Sequence, residues 1–224
     1  MDNSMKLNYS NKKILEFNLN SIDDFSEIEI EKYDILKAFV TPNEINSKEL
    51  VQNGFVFGDR TLDVSISLTK IDGLEKFIRL PIIETSDYKN EILNIAQKSF
   101  TYDRRFHLTE KCNQDFANIV LEDWVNKLDK VLVCLFKDAP VGFLALKEIN
   151  EKALFVHLAA VDEKYRMTGA AMALYAKAIL YAKSKGYSSL DGRISSQNTA
   201  VMNLYSYFGA KFSNPTDIYI REVR

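Results

Sequence analysis

One segment of the chain constrains its fold more than any other, because it joins a strand pattern to a helix pattern through a turn of small residues. The apolar run over 153–161 is typical of a buried strand, and the run over 172–185 is typical of a helix. Between them lies Arg166-Met167-Thr168-Gly169-Ala170-Ala171. A helix start offers unpaired N–H groups, and small residues let an anion approach the backbone there. The segment therefore predicts an anion site, and a pyrophosphate is the anion that it favours.

Other nucleotide-binding turns fit this segment poorly. It lacks the Gly-Lys-Ser/Thr of a Walker loop, and it does not match Gly-x-Gly-x-x-Gly, so a dinucleotide-binding Rossmann fold is disfavoured. An ordinary strand-to-helix turn without a ligand stays open as the alternative.

The bulk composition favours a globular protein with a well-filled core. Close to half of the 224 residues are apolar, and the formal net charge is only −2. Because nucleic-acid surfaces need clustered positive charge, this balance argues against a nucleic-acid partner. The sequence has no apolar run of transmembrane length and no signal-peptide core after Met1. Cys112 and Cys134 lack metal or redox spacing, so we expect reduced, buried thiols in a cytoplasmic protein.

Hydrophobic periodicity divides the chain into two parts. Residues 1–75 are predicted to form a small α/β domain with a strand over 33–40, a helix over 43–53 and an alternating strand over 55–68. A charged segment that contains Gly73 then leads into a second domain over 76–224. Its predicted elements are strands over 77–83, 131–136, 141–147, 153–161 and 189–194, helices over 86–99, 113–128, 169–185 and 198–208, and a final pair of strands from Ala210 onward.

Three features of the second part resemble the GNAT acyltransferase superfamily. Arg166-x-x-Gly169-x-Ala171 after a buried strand is similar to its acetyl-CoA loop, and the order of strands and helices is similar to that of its fold. The third feature is Asn198 at a helix start with Tyr205 seven residues on and Phe-Gly-Ala after it. The resemblance implies an α/β (α+β) fold with a central mixed, largely antiparallel sheet, preceded by a smaller, partial-GNAT-like α/β domain.

The resemblance also implies acetyl-CoA as cosubstrate and no metal. It assigns the pyrophosphate to the turn and helix start formed by Arg166, Met167, Thr168, Gly169, Ala170 and Ala171. In the family, the preceding strand splays from its neighbour, its free backbone groups bind the pantetheine amides, and one N–H polarises the acetyl carbonyl. By position those groups belong to Ala159, Ala160 and Val161. Asn198 begins the helix beside the pantetheine arm, and it is also a good N-cap.

Tyr205 is the general acid that the resemblance implies, because the family's last helix points a tyrosine at the thioester sulfur. A phenol and a thiol have comparable pKa values, so sharing a proton in the transition state costs little. An ordinary half-buried helix aromatic is the alternative for Tyr205.

His157 is the candidate general base. Strand alternation is expected to place it with Phe155, Ala159 and Val161 on one face, where there is no carboxylate. The unperturbed histidine pKa of about 6.5 suits proton transfer. A structural strand histidine, and water acting alone as the base, both stay open.

The layout of the whole chain is similar to one GNAT group, the dTDP-fucosamine acetyltransferases of bacterial surface-polysaccharide synthesis. These enzymes N-acetylate a dTDP-linked 4-amino-4,6-dideoxy sugar. The resemblance is carried by Gly54-Phe55, Arg105-Phe106-His107, Trp124 and the segment over 198–210. It implies that Arg104, Arg105 and His107 bind the anionic nucleotide sugar, since arginine forks onto phosphate. A solvated loop with a few ion pairs is the alternative for that segment.

The acceptor amine is expected to attack acetyl-CoA directly in a ternary complex. A covalent acyl-enzyme is disfavoured because both cysteines lie outside the motifs. Other acceptors stay open: an aminoglycoside, a polyamine or a peptide N-terminus, although the first two need an acidic surface. A non-catalytic acyl-CoA-binding module is the alternative from another class, and the presence of Tyr205 disfavours it. Homodimers are common in the superfamily, so a homodimer also stays open.

Overall fold

The computed structural model of the chain describes residues 4–9, 12–21, 28–42, 45, 47–69, 71–100 and 113–223. Ten strands of these residues form one sheet, in the order β1-β2-β3-β10-β4-β9-β8-β7-β6-β5. The strands are β1 (Met5–Tyr9), β2 (Lys12–Asn18), β3 (Ile35–Val40), β4 (Val56–Ser67), β5 (Ile82–Glu84), β6 (Lys130–Phe136), β7 (Ala139–Asn150), β8 (Ala153–Val161), β9 (Ser189–Ser195) and β10 (Lys211–Glu222). β2 is parallel to β3 and β8 to β9, and the other described pairs are antiparallel. This mixed, largely antiparallel sheet confirms the predicted fold class.

Five α-helices of the described residues pack on the sheet: α1 (Ser47–Gln52), α2 (Lys89–Ser99), α3 (Gln114–Asn126), α4 (Ala170–Ser184) and α5 (Thr199–Tyr207). On one side of the sheet, which we call the α4 face, buried side chains of α4 and α5 such as Leu174 and Tyr205 share a core with Leu144 and Leu190. On the other side, the α3 face, α2 and α3 pack on β6, β7 and β8. No helix in the described ranges combines the length and the apolar character required to cross a membrane.

The second part of the chain follows the predicted element order closely. β6 to β9 and α2 to α5 each begin and end within three residues of the predicted bounds. The turn between β6 and β7 has Lys137 and Asp138 at positive φ, 49° and 63°, which is the conformation of a tight two-residue hairpin turn. In this part of the chain, the hydrophobic periodicity and the turn residues therefore predict the observed elements.

Two strand predictions in this part are wrong. The run over 77–83 is not one strand, since a 3₁₀ turn covers Glu75–Phe77 and β5 begins only at Ile82. Pro81 accounts for this, because proline has no N–H for a ladder and restricts the residue before it. The final pair of strands is one strand, β10, in which the pairing with β4 shifts between Ser213 and Thr216. Asn214, which has a φ of 48°, and Pro215 lie at this irregularity.

The N-terminal part of the chain contributes strands to the same sheet. β4 lies between β9 and β10 and pairs antiparallel with both. Its alternation is as predicted, with Val64, Ile66 and Leu68 buried in the α4-face core. β1 and β2 were not predicted. The division near residue 75 remains a prediction, with β4 from the first part built into the sheet beside β9.

Candidate active site

The parallel pair β8–β9 is open at one end. Within the described strands, the two pair from Ala153–Ser189 to Val156–Gly192, and the pairing then stops. Beyond this point β8 continues to Val161 beside β7, while β9 continues beside β4. A wedge-shaped gap therefore lies between the C-terminal ends of the two strands, with its apex at the Val156–Gly192 pair. The splayed strand expected from the family resemblance is present.

Backbone polar groups of β8 point into this gap. The Asp162 N–H donates to the Val141 carbonyl oxygen of β7 at 2.9 Å. Because alternate residues of a strand direct their N–H and C=O groups to the same side, Ala160 also faces β7, whereas Ala159 and Val161 face the gap. The gap is therefore lined by donors and acceptors that require partners.

His157 is the extra residue of a β-bulge in β8. The register with β7 skips from Leu158 to Val156, and a bulge changes the alternation of the side chains that follow it. The His157 ring lies on the α3 face, 6.3 Å from the ring of Trp124 on α3. Leu158 packs in the core on that same face.

This bulge corrects the predicted direction of His157. Ala159 and Val161 pack against the α4-face core, which is on the opposite side of the sheet from His157. The prediction that these residues and Phe155 share one face assumed unbroken alternation, and it is wrong. The apex is consequently approached by His157 from one side of the sheet and by the α4-face residues from the other.

The environment of His157 favours its neutral form. Partial burial, and then the nearby Lys147 ammonium, lower the pKa of His157 below its ordinary value. A lowered pKa leaves the imidazole unprotonated at neutral pH, so the ring is able to accept a proton there.

The predicted anion-binding turn is a 3₁₀ turn over Glu163–Thr168. Arg166 and Thr168 are exposed, and Met167 is 98% exposed, so the turn lies on the surface. Arg166 Nε is 3.5 Å from the carbonyl oxygen of Val161, which places the guanidinium beside the mouth of the gap. The turn thus brings one positive charge to the end of β8.

Gly169 joins the turn to α4 with a φ of +85°, a conformation that L side chains rarely adopt. A Cβ at Gly169 would meet no atom within 4 Å, so the space in front of the helix is open. The Ala173 N–H donates to the Gly169 carbonyl at 2.9 Å, and the earlier N–H groups of α4 point outward at the positive end of its dipole. Ala170 is fully buried and Ala171 is half-buried, so the helix starts close to the strand.

Asn198 begins α5 as its N-cap. Its Oδ1 accepts a hydrogen bond from the Val201 N–H at 3.2 Å, which stabilises the helix start. The capping role is therefore present, and a role of Asn198 in cosubstrate binding stays a prediction.

Tyr205 brings its hydroxyl group to the apex of the gap. The residue is 1% exposed, and a Cβ on Gly192 would lie 2.6 Å from the Tyr205 hydroxyl oxygen. Since Gly192 belongs to the last β8–β9 pair, its missing side chain is what lets the hydroxyl reach this point. The Tyr205 ring also makes an edge contact with Tyr175 of α4, with ring centroids 5.0 Å apart.

Burial changes the acid–base behaviour of Tyr205. Desolvation raises the pKa of Tyr205 well above its ordinary value, and the charge of Tyr175 and a hydrogen bond to it add to the effect. Burial likewise raises the pKa of Tyr175 to about 12. The expected match between the phenol and thiol pKa values is therefore corrected, because Tyr205 holds its proton more firmly than a thiol does. The hydroxyl is better suited to donate a hydrogen bond than to release the proton.

Three residues near the apex, Asp191, Gly192 and Arg193, were not among the predicted site residues. The signal for Gly192 was available, because a glycine inside a strand often marks close approach of another group. Asp191 and Arg193 alternate with the buried Leu190 and Ile194 of the α4-face core, so they lie on the α3 face. Their closeness to the apex depends on where the β8–β9 pairing ends, which the sequence does not reveal.

The predicted acceptor-binding residues Arg104, Arg105 and His107 lie outside the described residues, as does Cys112. Cys134 is a buried free thiol, as predicted. Burial raises the pKa of Cys134 to about 11, so this thiol is neither accessible nor activated as a nucleophile.

Solved structures with a similar fold span nearly all of the chain. A functionally unknown conserved protein from Staphylococcus epidermidis ATCC 12228 is 17% identical, with a TM-score of 0.72 over 97% of this chain and 87% of that one. L-PGS from Bacillus licheniformis is 11% identical, with a TM-score of 0.55 over 99% and 85%. A GCN5-related N-acetyltransferase from Sphaerobacter thermophilus is 13% identical, with a TM-score of 0.55 over 85% and 60%. At these identities the likeness shows the fold alone.

No curated protein matches the sequence significantly. A family model described as the acetyltransferase (GNAT) family matches residues 89–210, which is more than half of the chain. The match includes β8, the turn at Gly169, α4 and α5, the elements that surround the gap. The chain therefore belongs to the GNAT family of acetyltransferases and is an enzyme of the acyltransferase class.

Proposed function

We propose that this chain transfers the acetyl group of acetyl-CoA directly to a primary amine while both substrates are bound. The gap between β8 and β9 carries the proposal. It has an open helix start at its mouth, backbone donors along one side and the Tyr205 hydroxyl at its apex. These features follow one another in the order in which pyrophosphate, pantetheine and sulfur follow one another along coenzyme A.

The start of α4 is the proposed pyrophosphate site. The outward N–H groups of Ala170 and Ala171 and the helix dipole attract negative charge, and Arg166 adds a full positive charge beside them. Gly169 keeps the approach clear, because a Cβ there would protrude into the open space in front of the helix.

The edge of β8 is the proposed pantetheine site. Ala159 and Val161 direct backbone groups into the gap, so an extended chain with amide groups could add to this edge as a further strand does. One of these N–H groups would polarise the acetyl carbonyl and stabilise the negative charge that develops on its oxygen. Ala160 faces β7 and supports the edge from behind.

Tyr205 and His157 are the proposed reacting side chains. Tyr205 donates a hydrogen bond to the sulfur as the carbon–sulfur bond breaks, and it holds its own proton because burial raises its pKa. His157, on the opposite face, accepts the proton that the attacking amine releases. The burial of Cys134 supports direct transfer over an acyl-enzyme, since this thiol cannot reach the gap.

For the acceptor, we propose the 4-amino group of a dTDP-linked 4-amino-4,6-dideoxy sugar, as used in bacterial surface-glycan synthesis. The support is the sequence resemblance, with Arg104, Arg105 and His107 as the groups for the anionic nucleotide. A second acceptor class is favoured by a different observation. The carboxylate of Asp191 lies on the α3 face near the apex, where it would attract a small cationic amine such as a polyamine or an aminoglycoside.

Release of the CoA thiol from acetyl-CoA separates these acceptors. The assay compares a dTDP-4-amino-4,6-dideoxy sugar with a polyamine, an aminoglycoside and a peptide amine, at equal concentrations and without preincubation. Fast release with the nucleotide sugar alone supports the first acceptor class. Release with a cationic amine alone supports the second acceptor class instead of the first. If none of the four amines causes release, acetyl transfer to an amine of these classes is contradicted.

A further inference from the structure

Asp191 lies beside the apex of the gap, on the side from which His157 approaches. It pairs with Phe155 in the register position just before the Val156–Gly192 pair. Its neighbours in β9 face the α4-face core, so alternation turns the Asp191 side chain to the α3 face. The α3 face at the apex therefore carries a carboxylate as well as an imidazole.

The Asp191 carboxylate is held in place but is not saturated with hydrogen bonds. The Ser65 hydroxyl donates to Asp191 Oδ1 at 2.7 Å. Among the described residues, no hydrogen bond reaches Asp191 Oδ2. The nearby Arg193 does not neutralise it, because Arg193 Nε donates to Asp63 Oδ1 at 2.8 Å. One oxygen of Asp191 is thus fixed by Ser65, and the other is available to a ligand.

The charge of Asp191 reaches the reacting centre. It contributes to the raised pKa of Tyr205, whose hydroxyl lies on the other side of Gly192. Asp63, on the neighbouring strand β4, differs because both of its oxygens are engaged, Oδ1 by Arg193 and Oδ2 by the Asn214 amide at 3.1 Å. Of these two carboxylates, Asp191 is the one with an unused acceptor, and its residue pairs with Phe155 next to the apex.

We propose that Asp191 binds the acceptor as an ammonium ion and holds its nitrogen at the apex of the gap, on the α3 face. This inference rests on the proposed acetyl transfer, and it names the acceptor class as a primary amine that is protonated in solution. A partly desolvated ammonium ion needs a counter-charge, and a carboxylate that accepts its hydrogen bond supplies one. Either acceptor class considered above meets this requirement.

The proton balance of the step leaves Asp191 charged throughout. The bound ammonium releases one proton to His157 or to water, and the freed nitrogen lone pair attacks the thioester carbon. The carbon–nitrogen bond forms, the carbon–sulfur bond breaks, and a second nitrogen proton ends on the CoA sulfur. The products are the N-acetylated amine, the CoA thiol and one proton in solution.

The test uses Asp191→Asn, which keeps the shape of the side chain and its bond from Ser65, with Asp63→Asn as the matched control. Each variant is assayed with an ammonium acceptor that the wild type acetylates and with O-methylhydroxylamine, which is uncharged at neutral pH. We expect Asp191→Asn to raise KM for the ammonium acceptor and to lower its kcat/KM by about tenfold to a hundredfold, the range of one lost hydrogen bond to a charged group. KM for acetyl-CoA, and kcat/KM for O-methylhydroxylamine, should change by less than about threefold in either variant.

Three results would overturn the inference. Unchanged kcat/KM for the ammonium acceptor in Asp191→Asn shows that the carboxylate does not bind it. Equal losses with the charged and the uncharged acceptor, or equal losses in both variants, indicate a general disturbance of the site. These outcomes leave acetyl transfer by the wild type intact, whereas a wild type that acetylates no amine removes the proposed function and this inference together.

Discussion

The chain contains two strand–helix–strand units that differ in what lies between their strands. In each unit, β3–α1–β4 and β8–α4–β9, the two strands run parallel. β8 and β9 are direct neighbours, and their pairing stops after four residue pairs. Between β3 and β4 lies β10, which pairs with β3 over six residue pairs and with β4 over eight. The same element order therefore gives an open gap in one unit and a closed sheet in the other.

The C-terminal ends of β8 and β3, the first strands of the two units, also differ in how open their surroundings are. The gap beside β8 leads to a fifteen-residue helix with open space at Gly169. The corresponding end of β3 lies beside an ion pair in which Arg60 donates from Nε and Nη2 to the two oxygens of Asp217 at 2.5 and 2.8 Å. The difference shows that a strand–helix–strand order is not sufficient to leave a gap between the two strands. Such a gap also needs strand edges that no other strand has taken.

The largest effect is expected from Tyr205→Phe, which removes the hydroxyl at the apex of the open unit. We expect kcat to fall by about 10²–10³-fold, the range for loss of a proton or hydrogen-bond donor to a leaving group, with little change in the affinity for CoA. Steady-state kinetics and CoA titration measure the two quantities. Tyr207→Phe is the control, because Tyr207 lies on the same helix and is 61% exposed. Equal kcat in both variants would contradict the role of Tyr205.

In the closed unit, Arg60→Met should reduce stability without affecting catalysis. Asp217 is 7% exposed, so loss of its partner leaves a nearly buried carboxylate unpaired. We expect the free energy of unfolding to fall by about 2 kcal/mol, with kcat unchanged. Lys183→Met is the control, since its partner Asp72 is exposed and a surface pair contributes less than about 1 kcal/mol. Urea denaturation measures both, and equal losses would show that the Arg60 pair has no special role.

A pair of glycines at the two ends of α4 isolates the effect of the open helix start. Gly169 and Gly186 have nearly the same φ, +85° and +84°, and a Cβ on either would meet no atom within 4 Å. Gly169→Ala and Gly186→Ala should therefore lose similar stability, about 1 kcal/mol each. Only Gly169→Ala should raise KM for acetyl-CoA, by about tenfold, because only that Cβ obstructs the anion approach. A similar KM in both variants would place the pyrophosphate elsewhere.

The smallest expected effect is on the pH dependence of the activity. His157 accepts a proton only when neutral, so activity should be present above its pKa and be lost as the pH falls through it. Because partial burial and Lys147 lower the pKa of His157, the midpoint should lie below the value of about 6.5 for a free histidine. Lys147→Met should move the midpoint upward, and His157→Gln should remove it. A profile of kcat/KM against pH that keeps the same inflection in His157→Gln would exclude His157 as the base.

Local sequence patterns were sufficient to predict the elements that build the open unit. β8 begins and ends at the predicted residues, β9 differs from the prediction by one residue at its end, and α4 and α5 differ by one residue at each end. Each is encoded by apolar periodicity next to a strong stop or start signal, such as Gly169 before α4 and Gly186 after it. The candidate site residues on the turn and on α5 follow from the same local signals.

What could not be predicted depends on partners that are distant in the chain. The bulge at His157 arises from the register between β8 and β7, and it reverses the expected side-chain alternation. The position of β4 between β9 and β10 is likewise set by pairing across the sheet. β1 is different, because Met5, Leu7 and Tyr9 alternate with Lys6 and Asn8, and the prediction missed this local signal although none of the five residues is buried. Asp191 falls in a correctly predicted strand, yet its place beside the apex depends on where the pairing with β8 ends.

Amide hydrogen exchange with and without acetyl-CoA tests the central claim most directly, because it compares the two units in one experiment. If the gap in the β8–α4–β9 unit binds the cosubstrate, acetyl-CoA should slow exchange at the gap-facing amides of Ala159 and Val161 and at the first amides of α4. Peptides from β3 and α1 should exchange at the same rate with and without it. Protection of β3 and α1, or unchanged exchange along β8 and α4 at saturating acetyl-CoA, would contradict this account.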